Sequence, residues 1–363
     1  MLPGLGTCSD GLNCTVNDTC DGDGGCAGTS VTCASPASQC HVATGACDLD
    51  GGCLFGPRAG LPCDAGTGSP ASCTAAFACV APLFGYTPSN FLESQLPVDG
   101  GVSLTLGANS TLDTDLATLS GNTMPPFAII TDGGQPTLLV RLSGLSVSNF
   151  VTLTVTGNRP LIFAVVGNVQ IDGVILLQNP GRPTACGNGG NADGGTAGWG
   201  GGGGAGFGTT GGLGGVNAGT AGVAGAVNGT PDLVPLRGGC SGGNGQASSP
   251  GGAGGGALQI SASGSVTVDG WVTAPGRGGA GAAANHFGGG GGGSGGGILL
   301  EGATLTLGFA SRVSSNGGGG GEGWGGGNPG SPGADGFQSL NMAAPGGFFG
   351  SSQEHAVVAD AMA

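Results

Sequence analysis

The sequence predicts an all-β protein: a β-solenoid, with a right-handed parallel β-helix as the favoured form, carrying glycine-rich, partly polyglycine-II-like insertions behind a small disulfide-rich module. Three observations predict it. Cysteines crowd the N-terminal stretch, aliphatic residues alternate in short segments further on, and glycine supplies 89 of 363 residues. The expected parts are a disulfide-rich module (1–82), a β-strand region leading into the solenoid (83–160), the glycine-rich solenoid (161–350) and a flexible tail (351–363).

The N-terminal module is defined by its cysteines. Eleven of the thirteen in the chain fall in the first eighty residues: Cys8, Cys14, Cys20, Cys26, Cys33, Cys40, Cys47, Cys53, Cys63, Cys73 and Cys79. This density, in a stretch with few large apolar residues, is typical of small oxidised domains that cannot build a core. The odd count fits a truncated start with a partner upstream, a free thiol or an intermolecular bridge, and spacing leaves the pairing open.

One cysteine string has a recognisable pattern. Residues 8–20 read Cys-Ser-Asp-Gly-Leu-Asn-Cys-Thr-Val-Asn-Asp-Thr-Cys, and residues 73–79 repeat its Cys-Thr-x-x-x-x-Cys portion. The first string resembles the slime-mould-type extracellular cysteine repeat, whose core is Cys-x-Asp-Gly-x-x-Cys-Thr-x-x-Asp-x-Cys. The resemblance is good for one copy and weaker for later ones, which lack the Asp-Gly and the internal Asp. It implies an extracellular module.

Alternation of apolar residues begins at about Phe84. Two sets of same-parity aliphatics stand out: Leu138, Val140 and Leu142, then Val151, Leu153 and Val155. A period of two is the signature of strands with one buried face. Gly, Ser, Asn and Asp between the sets mark turns. The region is therefore predicted to be β-structure.

Three later segments look like copies of one unit: 167–173, 264–270 and 303–308. Each has a small residue, two alternating aliphatics and a closing turn, follows a short apolar run and precedes a glycine tract. Repeats that cannot bury a face alone are typical of stacked architectures, which favours the solenoid. An antiparallel sandwich with long glycine loops is the alternative.

The glycine tracts allow three interpretations. Collagen is excluded, because no strict Gly-X-Y period occurs. Disorder is a serious alternative, since glycine-rich sequence low in aromatics often behaves as a flexible coil. The favoured interpretation is partial order as polyglycine-II-like helices, in which chains without Cβ atoms approach closely and pair their N–H and C=O groups. Such pairing would offset the backbone entropy of glycine.

Two cysteines lie within the glycine-rich part, Cys186 and Cys240. A bridge between them would close a loop of about 55 residues and contribute about 4 kcal/mol in the chain-entropy model. We expect this disulfide, which would clip the long insertion to the solenoid.

A second resemblance covers nearly the whole chain. It rests on five ordered segments: 86–91 (YTPSNF), 159–162 (RPLI), 234–240 (VPLRGGC), 254–260 (GGGALQI) and 295–301 (GGGILLE). These resemble the glycine-rich extracellular proteins of myxobacterial type, which also tend to carry slime-mould-type cysteine repeats in front. The resemblance implies a secreted or surface-exposed protein and is silent on activity.

Catalytic chemistry finds little support. His41, His286 and His355 lack partners at the spacing of a triad or a zinc site. On the repeat faces the charged candidates are Asp172, Asp269, Glu301 and Arg312. Asp172 and Asp269 precede equivalent turn glycines, where Asp commonly bonds local backbone. No catalytic residue and no cofactor site is therefore predicted.

Binding candidates are weak. Asp18, Asp21 and Asp23 crowd around Cys20 and resemble part of an oxygen-ligand calcium loop, but the bidentate acid that completes an EF-hand is missing. Trp199, Trp271 and Trp324 are either stacking platforms for sugars or residues buried against glycine. A nucleic-acid partner is disfavoured, because the chain has no Lys, seven basic residues in all and a net charge of -14.

The sequence thus predicts a secreted or cell-surface structural or adhesive protein without catalytic activity. A carbohydrate- or partner-binding module and a β-helix polysaccharide-active enzyme are the alternatives. Cell-surface polysaccharide and envelope or matrix proteins are the partners considered. No stretch is long and apolar enough for a transmembrane segment, and no export signal is visible in this chain. The expected location is extracellular or on the outer cell surface.

Overall fold

The chain forms two compact units, Met1–Gly85 and Tyr86–Ala363. The computed structural model describes residues 8–21, 23–33, 38–48, 52–59, 61–64, 71–74, 76–98, 101–178, 186–192, 200–216, 220–245, 249–283, 287–325, 327–336 and 344–347. The expected tail, 351–363, lies outside these residues.

The first unit consists of short antiparallel strands. They are β1 (Thr15–Cys20), β2 (Cys26–Ser30), β3 (His41–Cys47), β4 (Cys53–Pro57), β5 (Pro62–Cys63), β6 (Ala71–Cys73) and β7 (Cys79–Val80). β1 pairs with β2, β3 with β4, and β5, β6 and β7 form a three-stranded sheet. Each pair is too short to be stable alone.

Disulfides tie these strands together. The pairs are Cys8–Cys26, Cys14–Cys47, Cys33–Cys53, Cys40–Cys73 and Cys63–Cys79. Cys20 ends β1, in register with Cys26. Together with few buried side chains, the cross-links confirm a disulfide-rich region, and their number indicates folding in an oxidising environment.

In the part that the structure describes, the second unit has thirteen further strands. They are β8 (Val102–Leu106), β9 (Ser110–Asp113), β10 (Thr118–Leu119), β11 (Phe127–Asp132), β12 (Gln135–Val147), β13 (Thr152–Thr156), β14 (Leu161–Val165), β15 (Val169–Ile171), β16 (Val174–Leu177), β17 (Ala257–Val268), β18 (Trp271–Thr273), β19 (Gly297–Leu307) and β20 (Arg312–Ser314). We call β8–β20 the strand stack. A single 3-10 turn, Glu93–Gln95, is the only helix among the described residues. The prediction of an all-β protein is confirmed.

Most strands of the stack pair in parallel, in three ladders. The first aligns Leu138, Leu161, Leu258 and Ile298. The second aligns Leu104, Leu145, Val169, Val266 and Leu305. The third aligns Ser110, Leu153, Ile175, Val272 and Val313. The second ladder places side by side the three segments that look like copies in the sequence.

The ladders enclose one core. Its buried cluster runs from Leu104 to Ala274 and includes Phe163, which has no exposed surface. The cluster joins strands on both sides of residue 160. Each side chain stacks on the equivalent one in the next strand, because parallel pairing in register repeats the inward positions.

The first ladder is also covered on its outer face. Residues 86–98, which we call the strap, cross it. The Tyr86 hydroxyl donates to the Ala262 carbonyl (3.0 Å), and Arg141 Nη1 donates to the Pro97 carbonyl (2.6 Å). Every residue of β14 is consequently buried. Burial on both faces explains why this strand is a continuous apolar run rather than an alternating one.

Candidate functional site

The most unusual surface of the molecule is built from backbone. We call the following glycine-rich segments the glycine layer: 186–192, 200–216, 220–229, 238–245, 249–256, 274–283, 287–296, 315–325, 327–336 and 344–347. Apart from one bridge between Gly325 and Asn328, they belong to no strand. Their N–H groups nevertheless bond neighbouring segments throughout.

Segment 200–216 illustrates the bonding. Gly201 and Gly204 donate to the carbonyls of Gly215 and Gly212. Gly202 and Ala205 donate to those of Gly289 and Gly292, and Gly203 and Gly206 to those of Gly190 and Gly187. Donors three residues apart thus bond the same neighbour, and consecutive donors bond three different ones. This is the bonding of a chain that turns once every three residues.

Absence of side chains permits this contact. A Cβ on Gly202 would lie 2.0 Å from the Gly243 carbonyl oxygen, and one on Gly291 would lie 2.0 Å from that of Gly203. Real Cβ atoms essentially never come within 3.0 Å of another heavy atom. The close approach of the backbones therefore requires glycine at these positions.

A disulfide joins Cys186 to Cys240 inside the layer. This is the pair whose bridging the sequence predicts. Cys240 is fully buried, and it exchanges hydrogen bonds with Ser294: the Cys240 N–H donates to Ser294 Oγ (2.8 Å), and the Ser294 N–H donates to the Cys240 carbonyl (3.0 Å). The bridge and these two hydrogen bonds together connect three segments that are far apart in the chain.

Aliphatic side chains project from the outer segments of the layer. Leu213, Val216 and Val223 are 74%, 68% and 66% exposed, and we call them the apolar patch. Leu213 and Val223 flank the hydrogen bond from the Gly214 N–H to the Gly222 carbonyl. No charged residue occurs in the described part of 200–229. Backbone hydrogen bonds from Gly214 to Gly222 and from Gly201 to Gly215 tie the segments that carry these side chains to their neighbours.

A polar cluster lies where the strap meets the stack. Glu301 Oε2 accepts from Ser261 Oγ (2.6 Å) and Gln259 Nε2 (2.9 Å), and Ser89 Oγ donates to its other oxygen. Asn90 Nδ2 donates to Gln259 Oε1 (2.8 Å). Gln259 and Ser261 have no exposed surface. The cluster joins strap and strands through hydrogen bonds between buried polar groups, as a structural clasp does, although Asn90 Oδ1 has no partner among the described residues.

Tyr86 borders this cluster. Burial, together with the nearby Glu301 carboxylate, raises the pKa of its hydroxyl above the ordinary range. The group therefore stays neutral and acts as a hydrogen-bond donor to the Ala262 carbonyl. The sequence analysis identifies Glu301 as a charged residue on a repeat face. Its contacts with the strap could not be predicted, because the strap residues are far away in the chain.

The two turn carboxylates lie close to each other. Gln170 Nε2 donates to Asp172 Oδ1 (2.5 Å) and to Asp269 Oδ2 (3.0 Å). Asp172 is partly buried and Asp269 is exposed. Their positions at successive turns of the second ladder follow from the pairing of Ile171 with Val268. The shared amide donor stabilises the stacked turns, and the carboxylates also form a small acidic feature at the surface.

Two of the calcium candidates, Asp18 and Asp21, accept hydrogen bonds from backbone N–H groups. Asp18 Oδ2 accepts from the Asp10 N–H (3.0 Å). Asp21 Oδ1 accepts from the N–H groups of Asp23 (3.0 Å) and Gly25 (2.8 Å). The bond from Asp23 to Asp21 is that of an Asx turn. Asp18 Oδ1 is buried and has no partner among the described residues. Among the described residues, the sulfurs of Cys40, Cys63 and Cys73 also cluster, but all three are in disulfides.

The remaining candidates are scattered. His41 bonds Ser38 Oγ (2.6 Å) and stacks on Phe77, with ring centroids 4.3 Å apart. Trp271 is 38% exposed beneath the Arg312 guanidinium, 5.9 Å from the ring centroid, and Trp324 is partly buried. His286, His355 and Trp199 lie outside the described residues. The structure therefore brings no histidine and carboxylate together within its described part.

Comparison of the chain with protein-family models, with curated proteins and with solved structures finds no match. Within the described ranges, no helix has the length and hydropathy of a membrane span.

Proposed function

We propose that the protein is a secreted or cell-surface structural and adhesive protein without catalytic activity, and that the apolar patch is its adhesive surface. The observation that carries the proposal is the glycine layer, in which the chain is bonded to several neighbours and presents aliphatic side chains outward. Pre-organised side chains lose little entropy on binding. The disulfides support an extracellular setting, as do the resemblances of its sequence to slime-mould-type repeats and to myxobacterial glycine-rich proteins.

The proposal includes an architecture. We infer that the three parallel ladders are the sides of a β-solenoid and that the glycine segments are polyglycine-II-like helices. In-register alignment of Val169, Val266 and Leu305 supports the first inference, and the three-residue bonding period supports the second. Hydrogen exchange tests the order of the layer. Protection of its bonded amides for hours is expected, and exchange within seconds would contradict it.

The adhesive surface is tested with matched triple variants. Leu213→Ser, Val216→Ser and Val223→Ser together remove the patch. Val98→Ser, Leu116→Ser and Phe150→Ser remove similarly exposed apolar residues outside the layer. Retention of the purified protein on alkyl-coated beads and on polysaccharide-coated beads is measured.

We expect the patch variant to bind alkyl beads about tenfold more weakly, since loss of buried apolar area on binding costs about 1 kcal/mol or more. The control variant should bind like the wild type. Equal binding by all three proteins would remove the patch from the proposal. Retention on polysaccharide beads alone would favour the carbohydrate-binding alternative.

The polysaccharide-active enzyme remains a second candidate because Gln170 holds Asp172 and Asp269 at one place on the surface. Paired carboxylates are the usual machinery of glycoside hydrolysis. Release of reducing ends from a polysaccharide panel is compared among wild type, Asp172→Asn and Asp269→Asn. Activity that both variants lose would support this candidate, whereas an inactive wild type or unaffected variants would count against it.

A further inference from the structure

The two ends of the strand stack are finished differently. At the N-terminal end, antiparallel strands cover two of the three ladders: β11 pairs with β12 and β10 with β9. The second ladder ends there on β8, which among the described strands pairs only with β12, but its Leu104 and Leu106 are buried. At the C-terminal end, among the described strands, β19 pairs only with β17 and β20 only with β18. The outer edge of β19, eleven residues long, is therefore open. Long uncovered edge strands are a hazard that proteins usually cover or charge.

The last part of this strand is also apolar. Leu305 and Leu307 continue the inward positions of Val266 and Val268, yet they are 49% and 53% exposed, because no further strand follows. Phe309, just beyond, is fully exposed. Residues 303–307 read Ala-Thr-Leu-Thr-Leu and are all exposed. They contain no charge and no proline to discourage pairing. A register shift lies beside Ala303, where the extra residue belongs to β17.

The five residues are self-complementary. In an antiparallel pair of two copies centred on Leu305, Thr304 faces Thr306 of the other copy, and Ala303 faces Leu307. Because side chains alternate along a strand, this pairing places the apolar side chains of both copies on one side of the joined sheet and the threonines of both copies on the other. Only a two-fold arrangement gives both chains the same contacts.

We propose that a second copy of this chain covers the open end, by antiparallel pairing of residues 303–307 about Leu305. The joined strands continue the ladder formed by Val169, Val266 and Leu305, and they cover the apolar end of both cores. Residues 303–307 carry no charge to attract an acidic or basic partner, whereas the same five residues of a second copy match them in register. A two-fold pair uses the same edge of both copies, so the assembly closes as a dimer.

The test uses two double variants of the full chain, both of which alter only exposed threonines. Thr304→Lys with Thr306→Lys places like charges opposite each other across the proposed pair. Thr304→Glu with Thr306→Lys places each Lys opposite a Glu of the other copy. Analytical ultracentrifugation over a concentration series gives the mass and dimer Kd, and circular dichroism with thermal melting checks that each variant is folded.

We expect the wild type to have twice the monomer mass of 33.9 kDa at micromolar concentration. The Lys/Lys variant should weaken dimerisation about thirtyfold, and the Glu/Lys variant should stay within about threefold of the wild type. Because the two variants share the Lys at 306, a folding defect or an unrelated surface effect would not separate them.

Three results would overturn the proposal: a monomeric wild type, a Lys/Lys variant that dimerises like the wild type, or two variants that are equally weakened. If the full chain is monomeric and a chain ending at Gly347 dimerises, residues 348–363 cover the edge instead.

Discussion

The strand stack and the glycine layer are stabilised by different interactions. In the stack, side chains such as Phe163 fill the space between ladders, and the hydrophobic effect stabilises the packing. In the layer, backbones touch each other directly, and hydrogen bonds run to neighbours on several sides. The packing of the stack depends on large side chains, whereas the packing of the layer depends on the lack of side chains.

This difference changes how each region responds to substitution. Removing a methylene from the stack leaves a cavity, whereas adding one methyl group at a closely packed glycine of the layer, such as Gly291, drives a Cβ into a carbonyl group. Glycine also loses the most backbone entropy on folding, so the layer depends on a nearly complete set of hydrogen bonds. Four experiments sharpen the comparison, in order of expected effect.

The largest effect is expected in the core of the stack. Phe163→Ala should lower the free energy of unfolding by about 3–5 kcal/mol, because the residue is fully buried and the cavity cannot collapse. Phe150→Ala is the control, since Phe150 is 92% exposed and should change stability by less than about 0.5 kcal/mol. Denaturant titration measures both. Similar losses in the two variants would mean that the core does not dominate this region.

Loss of the layer's disulfide comes next. The double variant Cys186→Ala, Cys240→Ala should destabilise the layer by about 2–4 kcal/mol, since the bridge closes a loop of 54 residues in sequence separation. Hydrogen exchange resolves where the loss falls. Faster exchange confined to the glycine layer is expected, and equal acceleration in the strand stack would show that the bridge supports both regions.

An added methyl group distinguishes the layer from the stack most directly. Gly291→Ala should destabilise by about 1–3 kcal/mol, because its Cβ would lie 2.0 Å from the Gly203 carbonyl oxygen. Gly215→Ala is the matched control, since a Cβ there meets nothing within 4 Å. The control should stabilise by about 0.4–1 kcal/mol by restricting the unfolded chain. Opposite signs in thermal melts are the expected result, and equal signs would contradict close backbone packing at Gly291.

The smallest effect concerns a carboxylate near the layer. Asp132 ends β11 and accepts from the Leu236 N–H (2.8 Å). Burial raises the pKa of Asp132 above its ordinary value of 3.8. The contribution of this carboxyl group to the stability of the fold is therefore full below pH 3.8 and is lost as the pH rises through the folded-state pKa. Asp132→Asn keeps an acceptor without the charge. This variant should be more stable than the wild type at neutral pH, by less than about 1 kcal/mol after solvent screening. The difference in stability should vanish at pH 3. A difference that does not change with pH would exclude the Asp132 charge as its cause.

Some of this fold follows from sequence, and some does not. Period-two alternation predicts the strands, and the likeness of 167–173, 264–270 and 303–308 aligns residues that lie side by side in the second ladder. The disulfide connectivity of the first unit does not follow, because many pairings are compatible with the spacing. The strap does not follow either. Its contact from Asn90 to Gln259 joins residues 169 positions apart, and only the unbroken apolar run of β14 hints that an outer face is covered.

The candidate surfaces divide in the same way. The Cys186–Cys240 pair follows from elimination, since the other cysteines are far away in sequence. The apolar patch was missed, because a leucine or valine within a glycine tract carries no sign of its exposure. Exposure there depends on which neighbours bond the backbone, and that arrangement is tertiary.

Neutral amides, rather than ions, give the glycine layer its cohesion. Within the described ranges the molecule has one salt bridge, Arg277–Asp335, and it is exposed. Counterions screen attraction between charges but have little effect on bonds between uncharged groups. The layer should therefore keep its form from fresh water to brine, a useful property outside the cell, where the solute content of the surroundings is not under cellular control.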